Sequence, residues 1–195
     1  MKSLIEVLEK SKQVGFLGPG PVENHIEHSL KYAHEFIEPG WIADLGAGGG
    51  LPSIPLLYKF PDLKIHMVDS SQKRCAFLVW AISELNFTER AKVSCSKAEE
   101  FAHETKNRFA YSGVIARSFA APAITLECAA GLLKLGGYCV ISEPPETRHW
   151  PSESIIKLGL KEVPTKNNFA VFESIQACPN VYPRSFKEMK SNPIF

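Results

Sequence analysis

The residues whose types and spacing could do chemistry are Asp44, the glycines at 46, 48 and 50, and then Asp69, Glu99 and Arg117. Asp44 closes the apolar run Trp41-Ile42-Ala43, which reads as a short buried strand. The alternating glycines form a tight turn that only glycine follows without a Cβ penalty. Pro52 suits the first turn of a following helix, where its missing N–H costs nothing. Strand, glycine turn and helix together bring a ligand to a helix N-terminus at the carboxyl edge of an open α/β sheet. A dinucleotide fingerprint needs glycine at positions one, three and six, but counting from Gly46 the sixth position is Leu51. No Lys-Ser/Thr pair follows the glycines, which excludes a P-loop. Asp69 comes about 20 residues after the turn, where a nucleotide-binding βαβ unit puts a ribose-binding acid. The alternative for Asp69 is a cap on the next helix, a job that Ser70 or Ser71 could also do.

An acid ahead of the first glycine, D-x-G-x-G-x-G, resembles the first motif of class I S-adenosylmethionine (SAM) methyltransferases. That resemblance implies glycines, Gly46 and Gly48 among them, that let backbone approach the methionyl part, with the Asp44 carboxylate near its cationic amine. In this architecture the loop after the third strand, Ser96 to Glu100, meets the adenine, and a small residue and an acid can face the ring edge. On periodicity alone Glu99 is a surface helix residue. Arg117 and Phe119 follow the fourth strand and overlook the place where donor and acceptor meet, although Arg117 could equally form a surface ion pair. His25, His28 and His34 lie on or beside one helix. With no Cys or acid cluster beside them they read as solvated or satisfied side chains, and no metal is expected.

The elements that must position these residues follow from hydrophobic periodicity. Short helices are expected over Ser3–Lys12 and Val22–Ile37, the second with Ile26, Leu30, Ala33 and Ile37 on one face. Strands at 41–43, 64–68, 91–95, 111–116 and 138–141 alternate with helices at 53–58, 71–85 and 122–134, and Gly136-Gly137 turns the chain into the fifth strand. A short helix at 154–158 and a hairpin of strands 160–163 and 169–175 complete the domain. The expected fold class is therefore α/β: a class I, Rossmann-like methyltransferase fold with a mostly parallel seven-stranded sheet, a C-terminal antiparallel hairpin and short N-terminal helices. The expected divisions are a helical segment 1–38, a SAM-binding domain 39–178 and a basic tail 179–195.

Composition sets bounds on partners. The 195 residues carry a net charge of +1, so any nucleic-acid contact must be local. Five scattered cysteines without a C-x-x-C fit reduced thiols in a cytoplasm rather than disulfides or zinc. The charged amphipathic N-terminus does not read as a signal peptide, no run is long and apolar enough for a membrane, and a monomer is favoured. The tail places Arg184, Lys187 and Lys190 beside Tyr182 and Phe186, as either a small basic arm or a solvated end.

Several motifs in order, DLGAGGGLPSIPL, MVDSSQKRCAFL, KAEE, IARSFAAP and a late YPR, resemble the RsmG (GidB) family, as does HIEHSLKY ahead of the glycine turn. The resemblance implies SAM-dependent methylation of N7 of a guanine in small-subunit (16S) ribosomal RNA. It implies a SAM site at Gly46, Leu51, Ala98, Glu99 and Arg117, to which the fold logic adds Asp44, Gly48 and Asp69. Arg184, Lys187 and Lys190 are the candidates for RNA phosphate. The chain departs from the family in a short N-terminal portion, in Ser142-Glu143-Pro144-Pro145-Glu146 where a Lys-Gly step is usual, and in the tail SFKEMKSNPIF. Acids at 143 and 146 should weaken phosphate contact. N7 already has a free lone pair, so the missing acid/base constellation agrees with such an acceptor. The Asp/Asn-Pro-Pro-aromatic signature of exocyclic amine methylation and a Pro-Cys nucleophile step are both absent. Two alternatives remain open on the sequence: a small-molecule or protein methyltransferase on the same scaffold, and a SAM-binding module without turnover.

Overall fold

The computed structural model describes residues 2–34, 40–142, 150–165 and 168–195. Five apolar runs become parallel strands: β1 (Trp41–Leu45), β2 (Lys64–Asp69), β3 (Ala91–Cys95), β4 (Tyr111–Ala116) and β5 (Leu133–Ser142). The hairpin β6 (Leu160–Val163) and β7 (Phe169–Ser174) adds antiparallel to β5, giving the order β3-β2-β1-β4-β5-β7-β6. The chain winds outward from β1 to β3, then returns to start again at β4. The carboxyl ends of β1 and β4 therefore flank the switch point, where an open α/β sheet binds its ligand.

Period-two alternation along the strands feeds two cores, because successive side chains point to opposite faces. Ile42, Met67, Ile115 and Val140 meet α1 (Leu4–Gln13), α2 (Val22–Lys31), α3 (Ser53–Lys59) and α4 (Gln72–Glu84). Ala43, Leu45, Val114 and Ile141 meet α5 (Ala98–His103), α6 (Pro122–Ala130), α7 (Ser152–Lys157) and α8 (Phe186–Ser191) on the other face. Both ends of the chain join these cores: Val7 and Leu8 of α1 are fully buried, and so is Met189 of α8. All five cysteines are free thiols.

Several boundaries differ from the sequence reading, most by one or two residues and some by more. The second helix leaves α geometry at Lys31 and tightens into a 3₁₀ turn, Tyr32–His34. Tyr32 is buried there, and its hydroxyl donates to the Ala116 carbonyl at the end of β4. The remainder of that expected helix, to Ile37, lies outside the described residues, as do Glu143 and Glu146. The sixth helix stops at Ala130 rather than Lys134 because Leu133 is already paired with Tyr111, so β5 begins before the glycine pair. Gly136-Gly137 makes an irregularity inside β5 instead of a turn ahead of it, and a Cβ at Gly137 would lie 2.9 Å from the Ser112 carbonyl. Most of the tail is exposed, but it is anchored to the domain. Ser185 and Glu188 cap α8 reciprocally, and Phe195 packs edge-on to Trp150 at 5.8 Å.

Candidate functional site

The glycine turn is lashed to the end of β2. The amides of Gly46 and Ala47 both donate to the Val68 carbonyl, at 2.8 and 3.1 Å. Gly46 has φ +71°, and a Cβ there would lie 2.6 Å from Cδ2 of Phe119, so the ring after β4 rests directly on this residue. From the other side the N-terminal segment clamps the turn. Ser11 Oγ donates to the Gly49 carbonyl at 2.9 Å, and Leu17 and Phe16 leave no space for a side chain at Gly49. Pro52 sits one position ahead of the expected first turn, as the residue preceding α3.

Asp44 is fully buried beneath the turn. Ser53 Oγ of α3 donates to its Oδ2, while Oδ1 has no hydrogen-bond partner. Burial raises the pKa of this carboxyl to about 7; the nearby charge of Asp69 adds to the rise, and the Ser53 hydroxyl and Arg117 oppose it. Asp69 is almost as buried, but its oxygens are occupied. Oδ2 accepts from the Gly48 amide at 2.9 Å and Oδ1 from the Ser71 amide at 2.8 Å, with Arg74 at 3.7 Å. Asp69 therefore ties the turn to Ser71, the capping position of α4, by accepting from the amide of that residue; it does not itself cap the helix. Each carboxylate oxygen keeps a second acceptor site.

Arg117 leaves the end of β4 toward α2. Its Nη2 donates to Nδ1 of His25 at 3.1 Å, and His25 Nε2 faces the Gly18 carbonyl at 3.3 Å. A guanidinium can only donate, so Nδ1 must be the acceptor and the ring proton must sit on Nε2. The second Arg117 nitrogen, Nη1, is buried without a partner. The surface ion pair considered for Arg117 does not describe this arrangement, whereas His25 is a satisfied histidine, one of the two readings the sequence offered. His28 is different. Its Nδ1 is buried without a partner between the rings of Tyr32 and Phe169, and burial lowers its pKa.

Two adjoining cavities open at the carboxyl edge. The first, of about 450 Å³, is lined by Gly46, Asp69, Ala98 and Glu99, together with Phe119 and Phe186. The second, of about 330 Å³, is lined by Gly46, Gly48, Leu51 and Arg117, with His25 and Phe16. Gly46, Arg74 and Ser118 border both. Every expected cofactor residue except Asp44 thus lines one of the two, and Asp44 lies under their shared floor. The three tail residues differ in their surroundings. The backbone amide, Nε and Nη2 of Arg184 all bond the buried Glu127 carboxylate of α6, at 2.7 to 2.9 Å, so its charge is already neutralised. Lys187 and Lys190 are exposed, and Arg184 and Lys187 border the same outer cavity of about 490 Å³, together with Lys97.

The family model described as rRNA small subunit methyltransferase G matches residues 20–144, which include the turn, both acids and Arg117. The chain belongs to this GidB family. Among GidB relatives, the ribosomal RNA small subunit methyltransferase G of Geobacillus thermodenitrificans is 34% identical over 160 residues, 80% of this chain and 67% of that protein. The protein of the same name from Geobacillus kaustophilus is 30% identical over 192 residues, 90% of this chain and 80% of that protein. The GidB fold is shared more widely. The [4+2]-cyclase SpnF matches with a TM-score of 0.61 at 16% identity, over 83% of this chain and 70% of that one. A Haemophilus influenzae protein assigned as a methylase matches at 0.58 and 14% identity, over 77% and 88%. At those identities the likeness concerns the fold alone.

Within this GidB chain, sequence reasoning missed Ser118, His25 and Phe186. Ser118 adopts φ +52° where the two cavities meet, a conformation that costs a non-glycine residue about 1 kcal/mol or more and tends to mark a functional site. Nothing in the sequence signals it. His25 carries no spacing cue because its partner is 92 residues away. Phe186 was noticed only as an aromatic beside basic residues. No helix among the described residues is long and apolar enough to cross a membrane.

Proposed function

We propose that this protein transfers a methyl group from SAM to N7 of a guanine in small-subunit ribosomal RNA. The observation that carries the reading is one juxtaposition. Gly46, Asp69, Ala98 and Glu99, from the carboxyl ends of three successive strands and the helix start beyond the third, line a single cavity, and Arg117 borders the cavity beside it. Membership of the GidB family supports the acceptor class.

The residues present fit the cofactor. The methionyl part of SAM carries an ammonium and a carboxylate, while the site holds a buried acceptor, Asp44 Oδ1, and a buried donor, Arg117 Nη1, both without partners. Asp44 has no exposed surface, so it acts on the ammonium as a charge beneath the turn. Gly46, Gly48 and Leu51 hold the methionyl chain, Asp69 accepts from the ribose hydroxyls with its remaining lone pairs, and Ala98 and Glu99 face the adenine edge. SAM supplies an electrophilic methyl on a sulfonium. The protein's task is to hold donor and acceptor in near-attack geometry, which can contribute most of the acceleration of an in-line displacement. N7 presents its own lone pair, so no residue need remove a proton. Arg117, held in place by His25, stands at the junction of donor and acceptor. Lys187 and Lys190 face RNA phosphate, and Arg184 holds the tail. The three expected segments divide the work: 1–38 clamps the glycine turn, 39–178 holds the donor, and 179–195 borders its adenine end.

The test offers SAM with a labelled methyl group to small ribosomal subunits, total protein and a small-molecule fraction. Label in 16S RNA is expected. Label confined to protein or small molecules would replace the acceptor, and SAM binding without any transfer would make the chain a binding module.

A further inference from the structure

We infer that Phe186, on the C-terminal tail, is a cofactor-contacting residue whose ring covers the adenine of SAM; this rests on the SAM reading above. Phe186 is one of the few large apolar side chains left exposed, at 46%, and it stands where the 450 Å³ cavity meets the outer cavity. Across the first cavity lie Ala98 and Glu99, which open α5.

The backbone on either side of this ring is held unusually firmly. Ahead of it, Arg184 makes three hydrogen bonds to Glu127, a carboxylate that is 1% exposed. Arg108 donates to the carbonyls of Tyr182, Cys178 and Pro179, and His103 Nε2 lies 2.6 Å from the Pro183 carbonyl. Behind it, the Ser185–Glu188 capping box starts α8, and Met189 is buried in the core. These anchors fix residue 186 while leaving its ring uncovered, so a rigid backbone presents an aromatic face to a cavity. Asp69 and Glu99 on the other walls, their charge balanced by Arg74 and Lys97, offer acceptors that suit hydroxyl and amine donors on a flat ring. A nucleoside meets both requirements. An adenine gains stacking from the ring, and the ring gains the cover that the protein does not provide.

The experiment is calorimetric titration of the full chain with SAM and with 5′-methylthioadenosine, which keeps the adenosine and lacks the amino acid. Wild type is compared with Phe186→Ala and Phe186→Trp. The ring is exposed, so neither change should disturb folding, and far-UV circular dichroism checks this. Phe186→Ala should raise the Kd for both ligands roughly tenfold, with Phe186→Trp close to wild type. Wild-type affinity for both ligands in Phe186→Ala would overturn the inference. So would a defect confined to association with small-subunit RNA, which would assign the ring to an RNA base instead. If the wild type itself fails to bind SAM, the cofactor reading falls with it, a result visible before any variant is compared.

Discussion

Replacing Asp44 by Asn tests how the site uses a buried carboxyl. Burial raises the Asp44 pKa in the folded chain to about 7, against an ordinary value of 3.8. Between those two values the folded protein keeps the proton that the unfolded chain has lost. Asp44 therefore lowers stability progressively as pH rises through this window, and the loss levels off above about 7. Integrating that difference from about pH 5 to about pH 8 gives roughly 2.5 kcal/mol, an upper figure because a charged site relaxes and admits water. Asn has no proton to lose. Urea denaturation at both pH values should thus show Asp44→Asn gaining roughly 2 kcal/mol on wild type at the higher pH. Taking the difference between the two proteins cancels His66, whose pKa burial lowers to about 4 and which acts in the opposite sense. The same carboxyl should couple to the cofactor. A cationic ligand favours the ionised form, so SAM binding by wild type should strengthen from about pH 6 to about pH 8 and release a proton, while Asp44→Asn binds more weakly and without that slope. A stability difference that does not change with pH would refute the reasoning.

Other substitutions probe the remaining parts. Gly46→Ala should cost about 1–2 kcal/mol from φ +71° and push Phe119 off the turn, seen as lower stability in urea together with weakened SAM binding. Arg184→Met leaves the buried Glu127 carboxylate without its counter-charge, holding only the backbone amide of residue 184, so chemical denaturation should show a loss of about 3 kcal/mol. His25→Ala removes the acceptor that holds Arg117 and should slow methyl transfer roughly tenfold with little change in melting temperature. If transfer is unchanged, the His25–Arg117 contact has no part in placing the reactants.

Much of the site was legible because its chemistry is local in sequence. Asp44 and the glycines lie within one turn, Asp69 ends the next strand, and Ala98-Glu99 and Arg117 follow the third and fourth, so the strand pattern alone carries them to one edge. Element boundaries failed where tertiary contacts outweighed local propensity, as at Leu133, which pairs with Tyr111 despite its place in a helical pattern. Contacts between distant segments left no trace in spacing. Arg184 reads as a free tail cation until Glu127, 57 residues earlier, is seen buried beneath it. His25 reads as a histidine without a named partner until the winding of the sheet brings β4 beside α2. Asp69, expected at a ribose or as a helix cap, instead binds the amides of Gly48 and Ser71, a contact between segments that spacing does not show, and its oxygens still have lone pairs to offer.

The most direct measurement is to incubate small ribosomal subunits with the protein and SAM, then cleave the RNA chemically at 7-methylguanine and read the breaks by primer extension. One new break, at a single guanine of 16S RNA, is predicted, and it should vanish when SAM is omitted or Arg117 is replaced by Ala. An RNA that carries the methyl label yet shows no cleavage would contradict N7 as the acceptor, and an unlabelled RNA would contradict the account at its centre.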